Sequence, residues 1–181
     1  MTAHSIFLNG TVGVGKTTAA AALGTLLSDR QIPHAVVDLD ETRRMWPSPP
    51  SDRFHHGLSM RNLAALTANY REAGAQRFVL AGVVESRDHV TAVEEAIGGA
   101  ITVVRLVAPG DVVDARLRRR HEDDVDGLTW SLDRRGELHT ILDAADIDDF
   151  VVISDGRRPA ALAEEVLARL GWRDSCDVRV D

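Results

Sequence analysis

The chain reads Gly10-Thr11-Val12-Gly13-Val14-Gly15-Lys16-Thr17 near its start, a full match to the pattern G-x-x-x-x-G-K-[ST]. The apolar run from Ser5 to Asn9 precedes it, and a segment with helical spacing follows from Thr17 to Ser28. In this strand, loop and helix context, glycines let successive backbone N–H groups point at one anion, and the helix start adds positive charge. The sequence therefore predicts a phosphate-binding loop; the alternative is a glycine-rich turn that matches by chance.

Lys16 is the only lysine in the chain, and the other basic side chains among its 21 Lys and Arg residues are arginines. A compact ammonium on a thin stem reaches between two phosphates inside a tight loop, where a planar guanidinium is too wide. An arginine-rich composition explains why lysine is rare, but not why the one lysine completes this motif. We expect Lys16 to bind the β- and γ-phosphates of a nucleotide and Thr17 to bind Mg²⁺.

Length and composition indicate a single domain over residues 1–181. Hydrophobic residues make up 44% of the chain and charged residues 27%, which is usual for a globular protein. The formal net charge of −7 disfavours nucleic acid and anionic membranes as partners. The lone Cys176 excludes an intrachain disulfide and a cysteine-based zinc site. No membrane-length apolar run or secretory signal is visible, so a cytoplasmic location is expected, and a homodimer stays an open option.

Apolar runs alternate along the chain with segments of helical spacing. Five strands are predicted, at 5–9, 34–38, 77–84, 100–107 and 149–153. Helices are predicted at 17–28, 52–73, 88–97, 111–120, 132–144 and 159–170, with Asp88 and Asp111 as caps. The acidic stretch 121–127 is expected to interrupt the pattern. The alternation favours an α/β fold, in which a mainly parallel sheet is covered on both faces and binds ligands beyond the carboxyl ends of its strands.

Two carboxylates, Asp38 and Asp40, follow the second predicted strand. Alternation along an extended chain puts both on the same side, next to the phosphate-binding loop. One can orient Mg²⁺ and its water, while the other can accept a proton from an attacking hydroxyl. We assign Asp38 to the metal and Asp40 to the base, with the reverse assignment open; the alternative is a solvated acidic turn.

Arginines at the end of the fourth predicted helix form a further candidate group. Arg116 and Arg120 lie four residues apart and so share one helix face. They are expected to lean over a nucleotide and to neutralise charge during phosphoryl transfer. The alternative is that these cations complement the helix dipole, and the two roles can coexist.

The segment after the second strand is rich in arginine and contains Arg43, Arg44, Arg53 and Arg61. Arginine forks bind carboxylates and phosphates, so the segment is expected to form a pocket for an anionic acceptor. The alternative is a set of ordinary surface arginines. Glu85, at the end of the third predicted strand, points toward the same site and is a further candidate for a contact with the acceptor.

These motifs together resemble the small P-loop kinases that phosphorylate metabolites, a group that includes adenylylsulfate, shikimate and gluconate kinases and chloramphenicol phosphotransferases. Two stretches carry the resemblance, the loop 10–17 and the run 38–43, which is similar to the D-x-D-x-x-R pattern of adenylylsulfate kinases. The run 116–120 is similar to the lid arginines of the group. The run 154–159 is similar to the loop with which those kinases hold adenine.

The resemblance implies a P-loop NTPase fold, a three-layer αβα sandwich around a five-stranded parallel sheet of order 2-3-1-4-5. It implies ATP and Mg²⁺ as cofactors, with the nucleotide held by residues 10–17, Thr18, Arg116 and Arg157. It also implies a small lid around residues 116–135. The candidate substrate contacts are Asp40, Arg43, Arg61 and Glu85.

The leading hypothesis is a kinase that transfers the γ-phosphate of ATP to a hydroxyl of a small, anionic metabolite. Lys16, Asp40, Arg116 and Arg120 are its expected catalytic residues. A nucleoside or nucleotide kinase and an antibiotic phosphotransferase are the close alternatives, and an ATP-binding switch or ATPase is the more distant one. A GTP switch is disfavoured, because guanine recognition by N-K-x-D needs a second lysine.

Overall fold

The structure is a computed structural model that describes residues 5–48, 50–52 and 54–172. Within these residues the strands are β1 (Ser5–Asn9), β2 (His34–Asp38), β3 (Arg77–Ala81), β4 (Ile101–Val107) and β5 (Phe150–Ile153). The helices are α1 (Lys16–Asp29), α2 (Leu39–Thr42), α3 (His56–Glu72), α4 (Arg87–Ile97), α5 (Gly110–Arg120), α6 (Val125–Ala145) and α7 (Pro159–Leu170).

The strands form one parallel sheet of order β2-β3-β1-β4-β5, which confirms the predicted architecture. The central strand β1 pairs with β3 on one side and with β4 on the other, so that Phe7 lies opposite Leu80 and Val103. Parallel neighbours need a crossover, and helices supply it on both faces of the sheet. All the strands therefore end at the same edge.

Side chains that alternate along β1 build two separate cores. Ile6 and Leu8 point to the face covered by α1 and α7, where Leu23 and Val166 are fully buried. Phe7 points to the opposite face, which α3 and α4 cover. Because β1 is buried on both faces, it reads as an uninterrupted apolar run rather than as an alternating one.

Several predicted boundaries move in the structure. β3 ends at Ala81, three residues earlier than expected, because the chain leaves the sheet at Gly82. Helix α4 begins at Arg87, and its cap is Ser86, whose Oγ accepts from the His89 N–H at 3.3 Å; Asp88 is not the cap. Helix α5 follows Pro109, so Asp111 lies in the first turn rather than at the cap position.

The largest difference concerns α6, which begins at Val125 rather than at residue 132. Asp124 caps this helix by accepting from the Gly127 N–H at 2.9 Å. The acidic stretch is therefore a short turn followed by the first helical turn, because a capping aspartate and acidic residues stabilise a helix start. Helix α3 is shorter than expected, since Asp52 lies before it and accepts from the backbone N–H groups of His56 and Gly57.

None of the helices among the described residues is both long enough and apolar enough to cross a membrane.

The two-sided burial of the sheet makes a matched pair of valines informative. Val166 belongs to α7 and is fully buried between this helix and the sheet. Replacing it by alanine should lower the free energy of unfolding by about 2 kcal/mol, because the loss of two methyl groups creates a cavity. The same change at Val125, which is 75% exposed, should shift it by less than about 0.5 kcal/mol. Urea denaturation followed by circular dichroism measures both. Equal effects at the two positions would contradict the packing of α7 against the sheet.

Candidate active site

The carboxyl ends of β1, β2 and β3 open into one cavity of about 920 Å³. This volume is typical of a site for a small ligand or cofactor. The cavity is lined by most of the predicted site residues, namely Val12, Gly13, Gly15, Lys16, Thr17, Thr18, Asp38, Asp40, Arg43, Glu85, Arg116, Arg120 and Arg157. Gly10, Thr11 and Val14 belong to the same loop but do not line the cavity.

The loop between β1 and α1 depends on glycines with positive φ. Gly10, Gly13 and Gly15 have φ values of 137°, 78° and 107°, which side chains rarely tolerate. A Cβ at Gly10 would lie 2.6 Å from the Leu106 carbonyl oxygen. Helix α1 begins directly after Gly15 with no side-chain cap and no acidic residue in its first turn. Its first N–H groups and its positive end are therefore available to an anion.

Lys16 turns back over this loop. Its Nζ donates to the carbonyl oxygens of Gly10 at 2.9 Å and Thr11 at 3.0 Å. Burial lowers the pKa of Lys16 to about 8, although the negative charges of Asp40 and Asp38 oppose the shift. Lys16 is therefore only partly protonated near pH 8, and a bound anion would favour its charged form.

Thr17 and Asp38 lie in direct contact. The Thr17 hydroxyl donates to Asp38 Oδ2 at 2.6 Å, and Asp38 Oδ1 accepts from the Asp40 N–H at 2.9 Å. Asp38 is therefore the N-cap of α2, and Asp40 lies on the first turn of that helix. Strand alternation was the wrong reason for placing the two carboxylates together, because the strand ends at Asp38; both still line the cavity.

Asp40 is paired with Arg43, whose guanidinium donates to Asp40 Oδ1. Helix α2, which carries Asp40 and ends just before Arg43, is anchored to α3 by two hydrogen bonds. Asn62 Nδ2 donates to the Thr42 carbonyl at 2.6 Å, and the hydroxyls of Thr42 and Ser59 lie 2.7 Å apart. The position of the Asp40 carboxylate is therefore set by contacts with a long helix rather than by a mobile loop.

A second clamp holds the segment after β3. The Asn9 side chain donates to the Val84 carbonyl at 3.1 Å and accepts from the Val84 N–H at 3.2 Å. Because Asn9 is the last residue of β1 and is fully buried, this amide ties the two strand ends together. The next residue, Glu85, is thereby placed in the cavity, where it forms an ion pair with Arg134.

The arginines predicted to act on a nucleotide lie on the other side of the loop. Arg116 donates to the Val14 carbonyl at 2.9 Å and to the Ser154 carbonyl at 3.1 Å. It therefore bridges the glycine-rich loop of residues 10–17 and the segment after β5. Arg120, one turn further along α5, also lines the cavity. Arg157 lines it too and forms an ion pair with Glu165 at 2.7 Å.

Sequence reasoning missed the contribution of α6. Gly127, Trp130, Arg134 and Leu138 lie three or four residues apart and all line the cavity. This spacing is visible in the sequence, but the predicted interruption includes residues 125–127, and residues 128–131 are assigned to no predicted element. The expected lid around 116–135 corresponds to the end of α5, a short turn and the first half of α6; whether it moves as a lid stays a prediction.

Aromatic and imidazole rings were missed as well. His56 and His89 stack with ring centroids 4.4 Å apart, and Phe54 lies under the Arg134 guanidinium at 5.3 Å. All of these side chains line the cavity. Burial, followed by the neighbouring His89, holds the pKa of His56 below its usual range, although Asp52 opposes the shift. His56 is therefore uncharged at neutral pH.

Two of the predicted arginines do not reach the cavity. Arg61 is exposed and is not among the lining residues, so its contact with a substrate stays a prediction that the cavity does not support. The buried face of α3 carries Ser59, Leu63 and Thr67, and Arg61 lies between the first two on the solvent side. Arg44 is paired with Glu41 outside the cavity. Arg53 lies outside the described residues.

The donor set fits a magnesium nucleotide. A hydroxyl and a carboxylate, from Thr17 and Asp38, are the hard oxygen ligands that Mg²⁺ takes from proteins when substrate phosphates complete its coordination. A Cβ at Gly15 would lie 3.7 Å from Ser154 Oγ and 3.8 Å from Arg116 Nη1, so the cradle is narrow and edged by donors. The loop, the uncapped helix start and Lys16 provide the positive potential that phosphates need.

Comparisons with known proteins agree with this reading of the fold. No protein-family model matches the chain, and comparison with curated proteins finds no match. Among solved structures, the tunicamycin resistance protein of Deinococcus radiodurans is 25% identical, with a TM-score of 0.62 over 93% of this chain and 96% of that one. The shikimate kinase of Acinetobacter baumannii is 19% identical, with a TM-score of 0.58 over 97% and 95%.

The APS kinase of Mycobacterium tuberculosis, solved with AMPPNP and APS, is 18% identical, with a TM-score of 0.55 over 94% of this chain and 99% of that one. The matches span nearly the whole of both chains. At these identities the likeness establishes the fold, which is that of the small P-loop kinases.

The loop geometry predicts a sharp difference between two glycines. Gly10→Ala should lower the free energy of unfolding by about 1–3 kcal/mol, because φ is 137° and the new Cβ meets a backbone carbonyl. Gly136→Ala is the matched control, since this exposed glycine lies within α6 with nothing within 4 Å of its Cβ position. It should stabilise the protein by about 0.5–1 kcal/mol. Thermal unfolding followed by circular dichroism measures both; an unchanged Gly10→Ala variant would contradict the loop geometry.

Proposed function

We propose that this protein is an ATP-dependent phosphotransferase that transfers the γ-phosphate to a hydroxyl of a small molecule. One observation carries the proposal: a single cavity brings together the glycine-rich loop with Lys16, the Thr17–Asp38 pair and the Asp40 carboxylate. The small-molecule kinases with the same fold support it. Their low identity leaves the acceptor to be argued from this chain's own residues.

In the proposed reaction, the acceptor oxygen forms a bond to the γ-phosphorus while the bond from that phosphorus to the bridging oxygen of ADP breaks. The acceptor proton passes to Asp40, which lines the cavity, has a side chain that is 62% exposed and is oriented by Arg43. Lys16 exchanges its carbonyl partners for phosphate oxygens. Arg116 and Arg120 stabilise the charge that develops on the transferred group and help to exclude water.

Thr17 and Asp38 would hold Mg²⁺, which would supply charge neutralisation at the phosphate oxygens when bound. This division of labour follows from the contacts: Asp38 is joined to the P-loop threonine, whereas Asp40 is turned away from it toward Arg43. Arg157 and the segment 154–159 are proposed to hold the adenine side. Residues 116–135 are proposed to close over the nucleotide as a lid.

A nucleotide monophosphate kinase is the main alternative, because its acceptor site is also rich in arginine. Its acceptor is a phosphate, which is already ionised at neutral pH and needs no general base. A carboxylate anchored in the cavity, as Asp40 is, favours a hydroxyl acceptor.

Asp40→Asn should reduce acceptor-stimulated turnover by ~10²–10⁴-fold, because the proton of the attacking hydroxyl loses its acceptor. ATP binding should stay within a few-fold of the unaltered protein. The assay is ADP release over a panel of metabolites, nucleosides, adenylylsulfate and antibiotics, with Lys16→Ala as the blank. Glu41→Gln is the matched control, since Glu41 is paired with Arg44 away from the cavity. A loss of less than about tenfold in Asp40→Asn would contradict the base assignment.

Nucleotide binding should take up a proton in mildly alkaline solution. The pKa of Lys16 is about 8 without a ligand, and phosphate oxygens favour the ammonium form, so binding raises that pKa. At about pH 9 uptake should approach one proton per nucleotide, and affinity should fall with rising pH by up to about tenfold per unit. Calorimetry of ATP binding in two buffers of different ionisation enthalpy measures the uptake. Its absence would mean that Lys16 is already charged in the unliganded protein.

A further inference from the structure

Charge is divided unevenly across the cavity, and the division bears on the acceptor. The side that holds the glycine-rich loop of residues 10–17 carries Lys16, Arg116, Arg120 and Arg157. The opposite side, here called the acceptor side, is lined by carboxylates and by only two arginines among the described residues. Asp38 contacts Thr17 of the loop and belongs with the nucleotide side, so the charged members of the acceptor side are Asp40, Arg43, Asp52, Glu85 and Arg134. Three carboxylates against two guanidiniums leave this side with one negative charge.

Both arginines on the acceptor side already have carboxylate partners. Arg43 is paired with Asp40, and Arg134 is paired with Glu85 and with Glu137, the latter at 2.7 Å. An anionic acceptor would therefore have to share a guanidinium with a carboxylate that is already bound, or displace it. Repulsion between the two like charges, or the loss of the existing charge-assisted hydrogen bond, reduces the net affinity for an anion.

The histidines do not change this balance. His89 Nδ1 accepts from the Glu85 N–H at 3.3 Å, which ties this ring to the segment after β3. His56, whose ring lies 4.4 Å from that of His89, is uncharged at neutral pH because its pKa is lowered, chiefly by burial. Among the residues that the structure describes, both arginines of the acceptor side are thus engaged by carboxylates, and His56 adds no positive charge.

Flat rings also line the acceptor side. Phe54 and Trp130 line the cavity with 49% and 53% of their surface exposed, and the His56–His89 stack adjoins Glu85. Trp130 lies one helical turn before Arg134, whose guanidinium covers Phe54 at 5.3 Å. Large aromatic side chains left this exposed inside a cavity provide stacking surface for a ligand ring.

We propose that the acceptor is an uncharged compound that carries its hydroxyl on or beside a planar ring, as a nucleoside does, and not an anionic metabolite. The inference rests on the proposed function, because it names the acceptor of that same transfer. Ring stacking on Trp130 and Phe54 supplies the affinity, and the engaged arginines discriminate against carboxylates and phosphates. The arginine-rich segment after β2 therefore does not indicate an anionic substrate.

Fluorescence of Trp130 tests the inference without requiring turnover. With AMPPNP and Mg²⁺ present to fill the nucleotide side, uridine or phenyl β-glucoside at millimolar concentration should quench tryptophan emission. Sorbitol, which is uncharged but has no ring, and the anions gluconate and shikimate should not. Trp130→Phe should abolish the quenching. Trp46→Phe is the matched control and should keep it, because Trp46 is 91% exposed and does not line the cavity.

A second pair of variants tests the role of the engaged arginine. Glu85→Gln removes the partner of Arg134 inside the cavity and should raise the affinity for gluconate by about tenfold, measured by calorimetry. Glu137→Gln removes the other partner, which does not line the cavity, and should leave that affinity unchanged. An affinity for gluconate that does not rise in Glu85→Gln would overturn the inference.

The remaining outcomes separate the two proposals. If gluconate or shikimate binds more tightly than both ring compounds, or if neither ring compound quenches, the inference is wrong. If anionic acceptors are phosphorylated in preference to uncharged ones, the proposed function stands and the inference fails. If ring compounds bind through Trp130 but no ADP release follows with any acceptor, the inference on the ligand holds and the proposed transfer fails.

Discussion

The pairing of β1 with a neighbour on each edge is the constraint from which the site follows. β1 is buried on both faces and hydrogen-bonded to β3 and β4, so its carboxyl end is fixed in the middle of the sheet. Asn9 extends this rigidity to the segment after β3, and the Thr17–Asp38 hydrogen bond extends it to β2. Main-chain pairing together with these two side-chain hydrogen bonds therefore fixes the glycine-rich loop, Asp38 and the segment that carries Glu85 relative to one another.

The sequence predicted the elements that depend on neighbouring residues only. The glycine-rich loop, β1 and β2 were predicted with their observed bounds, because glycine spacing and short apolar runs involve only a few consecutive residues. The start of α6 was missed, since an acidic turn and a capped helix start share the same composition. The predicted grouping of Asp38 with Asp40 rested on strand alternation, although a helix begins between them.

Pairings between distant residues lay beyond the sequence. Glu85 and Arg134 are 49 positions apart, and nothing local shows that one neutralises the other. An arginine-rich segment therefore suggested an anionic acceptor, whereas the folded chain engages Arg43 and Arg134 with carboxylates and leaves Arg61 in solvent. The number of arginines near a site says less about its preference than how many of them lack an internal partner.

The contacts of Lys16 help to hold the glycine-rich loop in shape. Its ammonium satisfies the Gly10 and Thr11 carbonyls, while Arg116 and Ser154 satisfy the Val14 carbonyl. Under the proposed function, a triphosphate would have to replace these internal partners, so its affinity would reflect an exchange of hydrogen bonds rather than the gain of new ones. An anion with several phosphate groups would then be preferred over a single phosphate, because it can replace more of the hydrogen bonds that Lys16 gives up.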